Sequence, residues 1–155
     1  MTEPTMTGGA PAAGVPGELA GYGDRFLAFL IDFGVLILIG LAFGILQWLL
    51  TKLHLGFLGA ILGLVHFVVN IGYFIYLWGV DNPVTGRGQT VGKMVMNIKI
   101  IKADGTDVGV GDSILRYIGY IVSSVIILLG YVWIFIDDKN QGWHDKIAKT
   151  YVIKT

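Results

Sequence analysis

Two charged residues set into apolar surroundings carry the chemical interest of this chain. Arg25 and Asp32 stand seven residues apart in the run GYGDRFLAFLIDFGVLILIGLAFGILQWLL, so on a helix they share one face. Asp32 then lies roughly 10 Å further along than Arg25. A carboxylate at that depth needs a cation, a proton or a watery cavity to offset its desolvation. A buried acid of this kind can trade a proton for a cation, which makes Asp32 a candidate ion or proton site. His66, Asn70 and Tyr73 follow at i, i+4 and i+7, a polar stripe on one helical face. His66 and Asn70 could relay a proton to Asp32 or hydrogen-bond a neighbouring helix, and their spacing leaves both open. Gly88-Gln89-Thr90-Val91-Gly92-Lys93 looks at first like a phosphate loop. Three residues rather than four separate its glycines, and Met94 follows the lysine, so nucleotide binding is rejected. The three histidines (His54, His66, His144) show neither metal-ligand spacing nor a nucleophile-base pair. No enzyme activity, metal or cofactor is expected.

The elements that must position these residues are membrane helices. The 155 residues are 54% hydrophobic and 14% charged, whereas soluble domains carry about 25% charge. Apolar stretches cover 26–50, 57–80 and 114–136, each long enough to span about 30 Å of hydrocarbon. The expected fold is an all-α integral membrane protein of three hydrophobic helical segments, the third crossing fully or re-entrant and kinked. The first helix should begin near Gly23 or Asp24, with Asp24 as its cap. Gly40/Gly44 and Gly59/Gly63 are small-xxx-small pairs that would let the first two helices pack closely. Residues 1–20, rich in Pro, Gly and Ala, read as a flexible tail, and 21–154 as one membrane domain. In the polar loop 81–111, residues 96–101 read as a strand followed by a turn at Ala103–Thr106, a small β-hairpin. Residues 150–153 are a second strand candidate within the polar tail 137–155. The absence of cysteine excludes disulfides and thiolate sites, and zero net charge gives no argument for nucleic acid.

Hydropathy and charge disagree on topology. Three crossings would divide the eleven basic residues six against five; a third stretch that leaves and re-enters on one side makes it ten against one. The second division places the N-terminus and residues 87–102 inside the cell.

Three separated motifs together resemble the RDD family of small bacterial membrane proteins, named for one arginine and two aspartates. Arg25-Phe-Leu-Ala-Phe-Leu-Ile-Asp32 is similar to its first-helix pattern, and Gly88-Gln-Thr-Val-Gly-Lys93 to its Gly-x-Thr-x-Gly-Lys segment. Gly142-Trp-His-Asp145 with Lys149-Thr150-Tyr151-Val152 is similar to its C-terminal run, with Trp143 in place of the usual leucine and Lys149 in place of the usual glycine. The resemblance implies that Asp145 is the second aspartate and Gly88, Thr90, Gly92 and Lys93 the loop motif. It also implies a role in ligand transport, with sodium/proton exchange proposed for some members.

Two functions follow. One is transport of a small cation or protons, with Asp32 as the exchangeable group and Arg25–Asp145 as a structural pair near the interface. The alternative is an accessory or assembly subunit of a larger membrane complex, its Arg/Asp cluster structural. Expected partners are the lipid bilayer and either further copies of the chain or a larger complex. The expected location is the cell membrane, multi-pass, with the N-terminus cytoplasmic.

Overall fold

The computed structural model describes residues 14–125 and 132–155. Its longest element is α1 (Tyr22–Lys52), capped by Gly21 and not by Asp24. Asp24 sits in the first turn, where its charge meets the positive helix end. The 31 residues of α1 and the 24 of α2 (Gly56–Gly79) are both long and apolar enough to cross a bilayer. They form an antiparallel hairpin whose large side chains, among them Leu38, Ile45, Phe57 and Leu64, point outward. That is the reverse of a water-soluble core and suits lipid. Of the glycine pairs, only Gly59 makes a close approach, and Gly40 is in ordinary contact. A Cβ on Gly59 would lie 2.9 Å from Gln47 Nε2 and one on Gly40 3.8 Å from His66, whereas Gly44 and Gly63 meet nothing within 4 Å.

The remaining elements gather where α1 begins and α2 ends: α3 (Val91–Val95), β1 (Ile98–Lys102), α4 (Val110–Val125), a 3-10 turn (Trp133–Phe135), α5 (Trp143–Ile147) and β2 (Thr150–Lys154). In this base α3 packs on α1, and α4 on both α2 and α5. The expected hairpin is corrected. The turn at Ala103–Thr106 forms, with Lys102 N–H donating to Thr106 O at 2.9 Å, but a single bridge, Ile101 to Asp107, extends it. The full partner of β1 is β2, antiparallel, from Ile98 opposite Lys154 to Lys102 opposite Thr150. Asp107-Val108-Gly109 offers one apolar side chain, whereas Thr150-Tyr151-Val152-Ile153 supplies the β-branched and aromatic residues a sheet favours.

Residues 14–20 also depart from the flexible tail expected over 1–20. Ala20 N–H donates to Val152 O and Lys154 N–H to Glu18 O, both at 2.9 Å, and Val15 is buried against Ile101 and Tyr151. Val15 and Leu19 supply apolar surface that a composition rich in Pro and Gly obscured.

Of the three apolar stretches, only α1 and α2 have spanning length among the described residues. The third is helical through Val125 as α4; residues 126–131 of that stretch lie outside the described residues. Ser113, Arg116, Gly119 and Ser123 turn inward on α4 while Leu115, Ile118, Ile121 and Val125 face out. β1 precedes this stretch and β2 follows it, and the two strands pair with each other.

Gly119 sits where α4 meets α5, and a Cβ there would lie 2.6 Å from His144 Cα. Gly119→Ala should destabilise the protein by about 1–3 kcal/mol through overpacking. Gly63→Ala, which meets nothing, should be neutral or slightly stabilising, and thermal unfolding in detergent compares the two.

Candidate functional site

Asp145, fully buried on α5, lies between two guanidinium groups. Arg25 of α1 donates through Nη2 to its Oδ2, and Arg116 of α4 donates through Nη1 to its Oδ1. Gly142 N–H reaches Oδ2 at 3.0 Å and His144 Nε2 reaches it at 3.4 Å. Arg25 also donates to the Asn140 carbonyl and Arg116 to the Thr150 hydroxyl, so β2 joins the cluster. Burial alone would push the Asp145 carboxyl up; Arg116 and then Arg25 override it and hold the group well below the usual carboxylate range. Burial pushes the His144 imidazole from 6.5 down to about 3, against the pull of Asp145. His144 is therefore neutral at physiological pH, with its ring stacked on Tyr120 at 4.1 Å.

Asp32, 2% exposed, has a separate set of partners. Oδ1 accepts from the Tyr73 hydroxyl at 2.7 Å and Gly92 N–H at 2.8 Å, and Oδ2 from the Thr90 hydroxyl at 2.6 Å. Thr90 also caps α3. A Cβ on Gly92 would overlap the Ala28 carbonyl, so only glycine lets the α3 backbone touch α1 here. Gly88, at φ +81°, links α2 to β1: its N–H donates to Trp78 O and its carbonyl accepts from Ile100 N–H, both at 2.9 Å. The segment that resembled a phosphate loop is thus a docking segment for α1. Its glycines make room for backbone, and its threonine binds a carboxylate of the same chain.

The structure therefore brings Arg25 and Asp145 together and gives Asp32 to another cluster. Lys93 lies beside both, its ammonium 5.6 Å from the centre of the Trp78 ring. His66 and Asn70 do not reach Asp32. Asn70 Nδ2 donates to the His66 carbonyl at 2.8 Å, and His66 stacks on Phe43 at 4.7 Å. His66 lines a cavity of about 170 Å³ with Gly40, Gly44, Gln47 and Gly63. Only Tyr73 of that stripe contacts Asp32. Sequence reasoning missed Arg116 as the second partner of Asp145. The available signal was its spacing with Ser113, Gly119 and Ser123, which marks one inward face of α4.

The RDD family model matches residues 19–149 of this chain. The chain belongs to the RDD family. The uncharacterized protein YxaI of Bacillus subtilis is 30% identical over 153 residues, 86% of this chain and 96% of that protein. The proline-rich antigen of Mycobacterium leprae is 34% identical over 79 residues, half of this chain and 31% of the antigen. Its homolog in Mycobacterium tuberculosis is 27% identical over 92 residues, 58% of this chain and 38% of that protein. The RDD chain thus spans about a third of the length of these mycobacterial relatives. No solved structure matches.

Two predictions follow from the geometry. Asp145→Asn leaves two guanidinium groups short of a counter-charge and should cost about 3–5 kcal/mol. Asp32→Asn, whose amide oxygen can still accept from Tyr73 and Gly92, should lose much less; abundance and thermal stability in detergent report both. His144 sets an acid limit. The folded imidazole titrates near 3 and the unfolded one near 6.5, so the unfolded chain binds the extra proton and stability falls as pH drops from 6.5 toward 3. Melting curves between pH 7 and 5 should show that slope in the wild type and lose it in His144→Gln.

Proposed function

We propose that this RDD chain is a non-enzymatic structural subunit of the cell membrane, a two-helix hairpin held up to other membrane segments by a polar base. The observation that supports this reading is occupancy. Both oxygens of Asp145 and both of Asp32 already accept from donors on other parts of the fold. A cation carried on Asp32 would compete with the bonds from Thr90 and Gly92 that hold α3 to α1 and with the bond from Tyr73 that holds α2 to α1. Transport through Asp32 is thereby the weaker reading. The outward apolar faces of α1 and α2 suit lipid and the helices of a larger complex alike.

The ten-to-one division of basic residues favours a base, and with it an N-terminus, on the cytoplasmic side. Single cysteines at Thr51, Thr106 and Thr155 test the orientation with an impermeant thiol reagent on intact cells. Only the Thr51 position should label; reaction at Thr155 without Thr106 would mean that the third stretch crosses. The role is tested in vesicles of purified protein carrying a pH-sensitive dye. Sodium and potassium gradients should produce no pH change beyond that of empty vesicles, while mild-detergent extraction should recover the chain with stoichiometric membrane partners. A cation-dependent pH change that Asp32→Asn abolishes would sink the structural reading and restore transport.

A further inference from the structure

Between the two carboxylate clusters, α3 inserts one lysine. Lys93 is 8% exposed; its backbone N–H donates to the Thr90 hydroxyl oxygen at 3.4 Å, while its ammonium makes no hydrogen bond or ion pair among the described residues. Its ammonium lies 5.6 Å from the centre of the Trp78 ring, and the Arg116 guanidinium carbon lies 5.3 Å from the same ring. Two cations thus share one wholly buried indole. The charged and titratable groups that act on Lys93 come from three neighbouring helices: Arg25 and Asp32 from α1, Arg116 from α4, and His144 and Asp145 from α5. Lys99 of β1 is engaged elsewhere, with Asp107 at 2.6 Å. With the lysine, both arginines and both aspartates ionised, three cations face two carboxylates whose oxygens already accept hydrogen bonds. Two of the cations are guanidinium groups, which keep their protons in proteins, whereas a lysine amine can release one.

We propose that Lys93 is the proton-binding site of this cluster, and that its protonation loosens the hold of α3 on α1. The unprotonated amine rests on the indole as a neutral group. Proton uptake forms the ammonium, one N–H bond made and one charge added, beside Arg116 in a poorly screened interior. The strain is relieved when α3 moves outward and carries Lys93 to water. Thr90 and Gly92 move with it, and their bonds to Asp32 break. Burial pushes the Lys93 amine down to about 8, with Asp32 opposing the fall and Arg116 and Arg25 adding to it. The sign is then fixed. An opened α3 leaves Lys93 near the ordinary 10.5, so the open form binds the extra proton between pH 8 and 10.5. The latch tightens as pH rises through that window and is uniformly looser below it.

The experiment uses the full chain in micelles, with the lysine ε-carbons labelled with carbon-13. Of the eight lysine signals, one should shift with a midpoint near pH 8 and be missing from Lys93→Met. Hydrogen exchange of the Gly92 amide, corrected for the intrinsic rate, should slow about tenfold per pH unit above 8. Lys93→Met should abolish that dependence. The proposal is overturned if all eight signals titrate together above pH 10, if a signal titrates near 8 without any change in Gly92 protection, or if Lys93→Met keeps the pH dependence. Should that variant fail to fold, the titration and exchange of the wild-type chain still decide between these outcomes.

Discussion

The base of this protein depends on one carboxylate held between two buried guanidinium groups. Removing a charge from water costs several kcal/mol unless a counter-charge and further hydrogen bonds replace the solvent. Asp145 meets that requirement for Arg25 and Arg116 together, and they meet it for Asp145. Because Arg25 belongs to α1, Arg116 to α4 and Asp145 to α5, the electrostatic condition is also a geometric one. The three elements have one mutual arrangement in which no charge is left alone. Thr150 extends the condition to β2 through its bond from Arg116. The indole of Trp78, packed against Arg116 and stacked near Tyr120 at 5.4 Å, extends it to α2.

Asp32 solves a similar problem by different means. Its partners are two hydroxyls and an amide, neutral donors that orient the carboxylate without cancelling its charge. What fixes the site is shape, since α3 can approach only where Gly92 lacks a side chain. Asp145 therefore assembles elements by charge balance, and Asp32 registers one short helix against a long one. Two residues of the same type, named together by the family pattern, do different physical tasks.

Much of this was legible in the chain itself. The runs 26–50 and 57–80 announced α1 and α2 by length alone, because lipid demands about twenty apolar residues in a row. Arg25 and Asp32 stood out as charges in or beside an apolar run, whereas Asp145, in a polar segment, was marked only by the resemblance of its motif to the RDD pattern. Their partners were harder to find. Thr90 and Gly92 lie 58 and 60 residues from Asp32, and the local pattern around them mimics a loop that cradles phosphate. Arg116 stands one turn into an apolar run, with no neighbour in sequence to mark its partner. Its role shows only when the inward face of α4 is traced residue by residue. β1 was visible as a strand with two candidate partners: turn chemistry pointed to the nearest, while the better apolar match lay about fifty residues on, in β2. Local signals mark elements; charge balance and burial, which act across the chain, decide how they meet.

The 120 residues between Arg25 and Asp145 also impose an order on biogenesis. A ribosome adds about 5–20 residues per second, so Arg25 enters the membrane boundary several seconds or more before its counter-charge exists. During that interval the hairpin can insert, because its two helices satisfy their own backbones. The base cannot close, although α3 can already dock on α1 through the bonds of Thr90 and Gly92 to Asp32. Insertion and assembly are thereby separated in time. A nascent RDD chain halted before α5 would hold Arg25 and Arg116 without the carboxylate that balances them in the finished fold.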